Sequence, residues 1–452
     1  MLNSPPPRGV GAAVLFWVLL RAATVLPQQA PAPATQFKFD LGPGRAPDGF
    51  VQVRPEAAYS ADSGYGFDLG CRPTGVERGG DDAARDGLIT SDQPIFFSVK
   101  VPEGNYRVTV TLGDPQGESV TTVRTEVGRL MAAEVRTAAG QVEKRTFIAN
   151  VRRPTLPPPP NNAPGWSQVH MFLRGEAESR VWDEKLTLEF NSARPCVSAI
   201  EIVKDDSIPT VFVAGDSTVG DPRRGPGGNW PTQMCQFFKP TVAICNSAEG
   251  GETSKSFVTG ARFDKVLSQM KPGDFLLVQF GHNDSKAQWP QTYTEPATSF
   301  KAYLKVYLAE TRRRGGTLVL VTPMERRANE DSVGPWARAM REFAAEEKVA
   351  LVDQWAMSKK LWAAMGADVR GAFTDQTHLS GYGGYLLSKV VVAGIRENVP
   401  ELARHVVDDF KPLDVSSIDA RPAYLDQPGG PGGREARSTT ATTTAASTPS
   451  GN

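Results

Sequence analysis

The sequence predicts two successive domains of different class, an all-β sandwich followed by a three-layer α/β/α domain built on a parallel sheet. Three observations carry this reading. Between about 36 and 204, short alternating or β-branched runs are separated by turn clusters, the rhythm of a sandwich. From Thr210 onward, apolar strand runs alternate with helical stretches, which gives a parallel sheet with helices on both faces. The change falls at a short polar linker, Lys204-Asp-Asp-Ser-Ile-Pro209, and a chain of 452 residues has room for two or three domains.

Taken in order, the first 30 residues resemble a secretory signal peptide. Arg8 is followed by an apolar run from Val10 to Leu20 and then by small residues, with cleavage expected near Ala23 or Ala30. The run is too short for a comfortable membrane span, so an uncleaved anchor is the lesser reading. Export predicts a secreted or periplasmic protein, with no membrane contact once the leader is gone.

The β domain, 36–204, is read from runs at Phe37–Leu41, Phe96–Val101, Tyr106–Leu112, Thr121–Val127, Gln141–Val151, Ser167–Leu173, Lys185–Phe190 and Val197–Val203. Turns such as Pro102-Glu-Gly-Asn105 and Asp114-Pro-Gln-Gly117 separate them. Proline and asparagine make 154–164 a stiff extended loop. In the second domain, 210–412, the expected strands are Val211–Ala214, Val242–Cys245, Phe275–Phe280, Leu318–Val321 and Ala350–Val352. The expected helices are Trp230–Phe238, Lys255–Met270, Pro296–Arg314, Pro335–Lys348, Gln354–Met365 and Leu379–Glu397. Beyond about Asp414 periodicity fades, and 426–452, rich in Gly, Pro, Ser, Thr and Ala, reads as a disordered tail.

Composition excludes several classes of function. Lys+Arg and Asp+Glu balance at 50 each, so no basic field invites nucleic acid. Four histidines and four cysteines show no zinc spacing, so no metal and no cofactor is expected. In an exported chain, Cys71–Cys196 with Cys235–Cys245 is one of three disulfide connectivities. Buried free thiols are an equal expectation.

The chemistry gathers where strands end. Val211–Ala214 is an uninterrupted apolar run, as a strand buried on both faces requires. It stops at Gly215-Asp-Ser-Thr218, placing Ser217 at the carboxyl edge of the sheet, where open α/β sheets carry their sites. The next two strands run into Asn246-Ser-Ala-Glu-Gly-Gly-Glu-Thr-Ser254 and Gly281-His-Asn-Asp-Ser285, so Gly251 and Asn283 share that rim. After the last strand comes Asp375-Gln-Thr-His378, whose spacing lets a carboxylate meet one imidazole nitrogen and leaves the other free. Each block also has a structural reading: Asp375 as a helix N-cap, Gly251 as a turn residue, Asn283 as a loop cap.

These four blocks, in this order, resemble those of the SGNH (GDSL-type) hydrolases over about 210–400. The surrounding residues are most similar to the rhamnogalacturonan acetylesterases. The resemblance implies an α/β/α domain with a flavodoxin-like parallel sheet and a Ser-His-Asp mechanism. Ser217 then matches the nucleophile, His378 the general base and Asp375 the acid that orients the imidazole. The N–H groups of Ser217 and Gly251 and the amide of Asn283 match the oxyanion hole. Phe37-Lys-Phe-Asp-Leu-Gly42 and Val101-Pro-Glu-Gly-Asn-Tyr-Arg-Val108 resemble galactose-binding-like modules.

The implied function is removal of O-acetyl groups from a plant cell-wall polysaccharide, pectic rhamnogalacturonan first. Acetyl-xylan or another short acyl ester is the alternative substrate, and a non-catalytic carbohydrate-binding protein the alternative of another class. The implied partner is an acetylated polysaccharide or oligosaccharide, with oligomeric state left open. Trp230, Trp289 and Tyr293 are candidates for stacking on sugars or for packing beneath the loops. Arg223, Arg224, Lys255 and Lys286 are candidates for attracting uronate carboxylates. Asp216, His282 and Asp284 are assigned to holding the rim, His170 and His405 to ordinary packing or surface positions, and Gly225–Gly228 to a flexible rim loop.

Overall fold

In the computed structural model of the protein, which describes residue 1 and residues 34–79, 86–126, 128–157, 169–222 and 228–427, the alternating runs before 205 pair into two facing sheets. One sheet orders Val142–Val151, Gly104–Gly113, Cys196–Lys204, Gln36–Leu41 and Val51–Val53, with Gly87–Thr90 attached to Cys196–Lys204 and Thr74–Glu77 attached to Gly87–Thr90. The other orders Tyr65–Phe67, Ile95–Lys100, Lys185–Arg194, Ser119–Thr125 and Arg129–Thr137. Alternate residues from both, among them Phe39, Phe97, Val108, Phe190 and Ile200, fill the space between them. This is the expected sandwich.

Some strands carry no sequence signal. Val51–Val53, Tyr65–Phe67, Thr74–Glu77 and Gly87–Thr90 are only three or four residues long. Arg129–Thr137 is rich in Ala, Glu and Arg, yet pairs with Ser119–Thr125 because its neighbour's free edge outweighs its own weak preference. Of the expected Ser167–Leu173 strand, Val169–His170 is the part that pairs among the described residues, with Thr155–Leu156. Residues 158–168, which include the second half of the expected proline-rich loop, lie outside the described residues, as do the His170 side chain, residues 2–33 with nearly all of the expected signal peptide, and residues 428–452, most of the expected tail.

The second domain matches its expected class. Strands β1 (Thr210–Gly215), β2 (Ala243–Asn246), β3 (Phe275–Gln279), β4 (Thr317–Val321) and β5 (Ala350–Val352) are all parallel, in the order β2-β1-β3-β4-β5. That is the flavodoxin-like order, whose switch point lies between β1 and β3. Successive residues of β1 face opposite sides. Val211 and Val213 pack with α1 (Trp230–Met234), α6 (Gln354–Met365) and α7 (Gly381–Asn398). Phe212 and Ala214 pack with α2 (Ser254–Thr259), α3 (Arg262–Gln269), α4 (Lys301–Arg313) and α5 (Gly334–Glu347). The sheet is therefore sandwiched between two helical layers.

Three expected helices are interrupted. Lys255–Met270 divides into α2 and α3 because Gly260 ends the first and Ala261 adopts a left-handed φ of 62°. Pro296–Phe300 forms a π-helical turn before α4. Trp230–Phe238 ends as a 3-10 turn at Cys235–Phe237.

The two domains are tied together by polar contacts. Asn105 Nδ2 donates to Thr210 Oγ1 at 2.8 Å, at the start of β1 itself. Buried Lys265 on α3 reaches Glu103 Oε2 and Thr155 O, both at 2.8 Å. Order also continues past 412. Tyr424 and Leu425 pack on Leu130, and Arg124 Nη2 donates to Tyr424 O at 3.0 Å, so 413–427 returns to the β domain.

All four cysteines are free, so neither Cys71–Cys196 nor Cys235–Cys245 forms a bridge. Burial pushes the Cys235 thiol up to about 12, which makes it a packing residue rather than a nucleophile. Among the described residues no helix is long and apolar enough to cross a membrane. No cluster of metal-ligating side chains occurs among them either.

Candidate active site

Ser217 sits in the turn that follows β1, two residues past the strand's end at Gly215. Gly215 begins that turn because a Cβ there would stand 2.7 Å from Val219 and 2.9 Å from Gln279 O. Asp216, fully buried, accepts from the Thr218 N–H at 2.8 Å and the Thr218 hydroxyl at 2.7 Å. Gln279 Nε2 donates to Thr218 Oγ1 at 2.9 Å, and Trp230 Nε1 donates to Gln279 Oε1 at 2.8 Å. Asn229 Nδ2 holds Ser217 O at 2.9 Å and Gly220 O at 2.8 Å. The residues flanking Ser217 are thus pinned from below, leaving its hydroxyl as the group that faces the rim.

His378 Nε2 stands 2.9 Å from Ser217 Oγ, across 161 residues of sequence, and His378 Nδ1 stands 2.7 Å from Asp375 Oδ2. A carboxylate only accepts, so Nδ1 carries the proton and Nε2 presents its lone pair to the serine hydroxyl. Asp375 Oδ1 accepts the N–H groups of Thr377 at 2.6 Å and His378 at 2.7 Å. Burial works against its ionisation, but these bonds and the His378 ring outweigh it and bring the carboxyl down to about 2. The N-cap of α7 is Ser380, so Asp375 is not the helix cap.

Ser217, Gly251, Asn283 and His378 line one open cavity of about 720 Å³. Gly251 has φ of +81°, a conformation that favours glycine, and a Cβ there would stand 2.9 Å from Arg174 Nη1 and displace that guanidinium. Asn283 Nδ2 donates to Glu252 O at 2.9 Å, and Lys286 Nζ donates to Asn283 Oδ1 at 2.7 Å. Lysine can only donate, which fixes the amide orientation and leaves one N–H for the cavity. The three sequence blocks and the Asp-His pair therefore converge on one rim.

Other expectations resolve differently. Trp230 is fully buried in the core and cannot stack on a sugar. Neither exposed Trp289 nor half-buried Tyr293, which meets Trp336 edge-on at 6.4 Å, lines the cavity. Of the candidate cations Lys286 lines it and Lys255 does not, while Arg223, Arg224 and Gly225–Gly227 lie outside the described residues. Asp216, His282 and Asp284 are buried rim supports as expected, with His282 Nε2 3.0 Å from Met324 O. His405 is a packing residue, its Nδ1 2.8 Å from Thr241 Oγ1.

Sequence reasoning missed what crosses between domains. Asp221, on the cavity wall, is held by Arg129 Nη2 at 3.3 Å and by Arg152, both from the β domain and both buried. Arg174, also from the β domain, lines the same cavity. No periodicity marks such contacts. The one available signal was an arginine at each of two strand ends, Arg129 opening Arg129–Thr137 and Arg152 following Val142–Val151.

Asp284 provides a pH-dependent prediction. Burial raises it to about 6, although Ser254 N, Ser254 Oγ and Thr294 Oγ1 all donate to its Oδ1. A carboxyl whose folded pKa exceeds its unfolded value contributes stability that is fully present below 3.8 and is lost as pH rises through about 6. Asp284→Asn keeps the accepting oxygen and stays neutral. It is expected to flatten the fall in Tm between pH 4 and pH 7, read by thermal melts; an unaltered fall shows that Asp284 ionises freely in the folded protein.

Comparison with known proteins gives the following similarities. Residues 213–384 match the GDSL-like Lipase/Acylhydrolase family, and residues 37–140 match the "Beta-agarase/YXIM esterase-like, galactose-binding domain-like" family. The chain is 34% identical over 202 residues to the "Probable rhamnogalacturonan acetylesterase YesY" of Bacillus subtilis, covering 41% of this chain and 92% of that protein. It is 32% identical over 221 residues to the rhamnogalacturonan acetylesterase RhgT of the same organism, covering 44% and 94%. With the uncharacterized esterase YxiM, also from B. subtilis, 25% identity extends over 382 residues, 79% of this chain and 89% of that protein, and so across both domains.

Proposed function

Because the chain belongs to the GDSL-like lipase/acylhydrolase family and is thereby a carboxylic-ester hydrolase, we propose that it removes O-acetyl groups from carbohydrate, pectic rhamnogalacturonan in particular, through an acetyl-serine at Ser217. The observation that carries this reading is the relay of Asp375, His378 and Ser217, at 2.7 and 2.9 Å, opening onto the cavity.

In this mechanism Ser217 Oγ attacks the acetyl carbonyl carbon as His378 Nε2 takes its proton. The carbonyl oxygen becomes an oxyanion, met by the N–H groups of Ser217 and Gly251 and the free N–H of Asn283. The intermediate collapses, the C–O bond to the sugar breaks, and Nε2 returns the proton to the departing sugar oxygen. Water then attacks the acetyl-serine with its proton passing to Nε2, and acetate leaves as Oγ recovers that proton. Asp375 stabilises the imidazolium that forms twice in this cycle.

Two supports point to a pectic substrate. The relatives YesY and RhgT bear that activity in their names, and exposed Lys286 places a cationic head on the cavity wall. Acetate release from acetylated rhamnogalacturonan is expected to exceed release from neutral acetyl-xylan, and the advantage is expected to shrink from about 0.02 M to about 0.5 M salt as screening weakens long-range attraction. Equal release from both polysaccharides with no salt effect overturns the pectic assignment, and xylan is then the substrate to pursue. Acetate release from neither polysaccharide, with p-nitrophenyl acetate also untouched, returns the molecule to the carbohydrate-binding alternative.

A further inference from the structure

Arg174 belongs to the β domain, between the strand Val169–His170 and the single helical turn Glu176–Ser179, yet its guanidinium reaches the cavity of the other domain. Nη1 donates to Gly250 O and Nη2 to the Glu252 carboxylate. Glu252 also accepts from Ser256 Oγ at 2.6 Å and lies 3.4 Å from Arg262 Nε. Arg262 Nη2 donates to Glu178 Oε1 at 2.7 Å, and Glu178 Oε2 accepts the N–H of Arg174 at 2.6 Å. The circuit closes: two arginines and two glutamates alternate, one of each from each domain. Glu178, Glu252 and Arg262 are all buried. Among these buried partners charge-assisted hydrogen bonds hold their geometry, because letting one go leaves a charge without solvent; the Arg174 side chain itself is 35% exposed and reaches them from the cavity side.

What this circuit grips is one peptide group. Gly250 O and the Gly251 N–H belong to the same planar trans unit and point in opposite directions. Fixing the carbonyl therefore fixes the N–H. The peptide lies between two glycines, the residues least able to resist its rotation, and Gly251 is already at φ of +81°. A cation on the carbonyl also polarises the amide and strengthens its N–H as a donor. Asn283, the side-chain donor, is tied to the same loop through Glu252 O at 2.9 Å.

We propose that Arg174 is a positioning residue for ester hydrolysis: it orients the 250–251 peptide so that the Gly251 N–H faces the developing oxyanion, and through it the β domain completes the active site of the α/β domain. The inference rests on the reading of Ser217 as nucleophile and deepens it.

The test uses the full chain with p-nitrophenyl acetate, a substrate that carries no sugar and no carboxylate, so attraction of substrate by the guanidinium does not enter. Rates are expressed per active site titrated with a fluorophosphonate, which removes any loss due to misfolded protein. Losing a whole oxyanion donor costs about 10²–10³ in rate, and a donor that is merely loosened costs less. Arg174→Ala is therefore expected to lower kcat by about 10–100-fold with KM changed less than threefold. Arg174→Lys, which keeps a positive head for Gly250 O but not the second arm for Glu252, is expected to recover part of that loss, and it decides the question alone if the alanine variant does not fold. Values of kcat within twofold of wild type in the folded variants overturn the inference. A wild type silent toward p-nitrophenyl acetate and acetylated glycans overturns the esterase reading together with it; an active wild type with unaffected variants overturns this inference alone.

Discussion

Ser217→Ala is expected to lower kcat for ester hydrolysis by about 10⁵–10⁶-fold, the scale on which removal of a serine nucleophile acts in a triad. The argument is geometric. His378 Nε2 meets one hydroxyl, at 2.9 Å, and that oxygen is the atom that would form the new bond to the acetyl carbon. Without it, the donors proposed at Gly251 and Asn283 would still meet an ester carbonyl, so substrate affinity should change little while turnover collapses. Adding His378→Ala to Ser217→Ala should cost almost nothing more, because base and nucleophile act as one unit. The measurement is p-nitrophenol release, with a pre-steady-state burst in wild type and none in the variant. If Ser217→Ala keeps a tenth of the wild-type rate, the nucleophile lies elsewhere.

Asp375→Asn is the second large effect, about 10²–10⁴ in kcat. Asp375 Oδ1 serves two backbone N–H groups, so an asparagine keeps its oxygen there and turns its NH₂ toward His378 Nδ1. That forces the imidazole proton onto Nε2, which then cannot accept from Ser217. The Asp375 side chain is 55% exposed, so water eases the penalty and the middle of the range is expected. The pH behaviour follows from its depressed pKa. A carboxyl lowered from 3.8 to about 2 contributes stability that is present above 3.8 and lost as pH falls through about 2. Thermal melts between pH 5 and pH 2 should fall less steeply for Asp375→Asn than for wild type. An asparagine variant with more than a fifth of the wild-type kcat would show that the imidazole needs no carboxylate partner.

Much of this was legible in the chain itself, and for a definite reason. A parallel strand buried on both faces announces itself by continuous apolar residues, and its end by the first glycine and polar side chains. Val211–Ala214 running into Gly215-Asp-Ser-Thr218 marks both, so the position of Ser217 on the sheet edge needed no coordinates. The same local logic located Gly251, Asn283 and the Asp375–His378 pair. It failed where a residue's environment is supplied by distant chain. Trp230 sits in a polar, glycine-rich stretch and still points into the core, because Gln279 meets its ring N–H at 2.8 Å. Arg129–Thr137 has no strand composition and becomes a strand by pairing.

By itself, then, the sequence determined the two fold classes, the strand ends and the residue types that gather there, since each of these follows from side-chain period and turn chemistry within a dozen residues. Only the tertiary structure decided that the β domain shares in the site. Arg174 lies 78 residues from Glu252, and Arg152 lies 69 from Asp221. A charge that pairs over such a separation leaves no periodic trace, and alone in the sequence it is indistinguishable from one that faces water. What separates the two cases is desolvation: burial opposes ionisation of Asp221, and Arg129 and Arg152, arriving from the other domain, outweigh it and hold its carboxyl below the usual range.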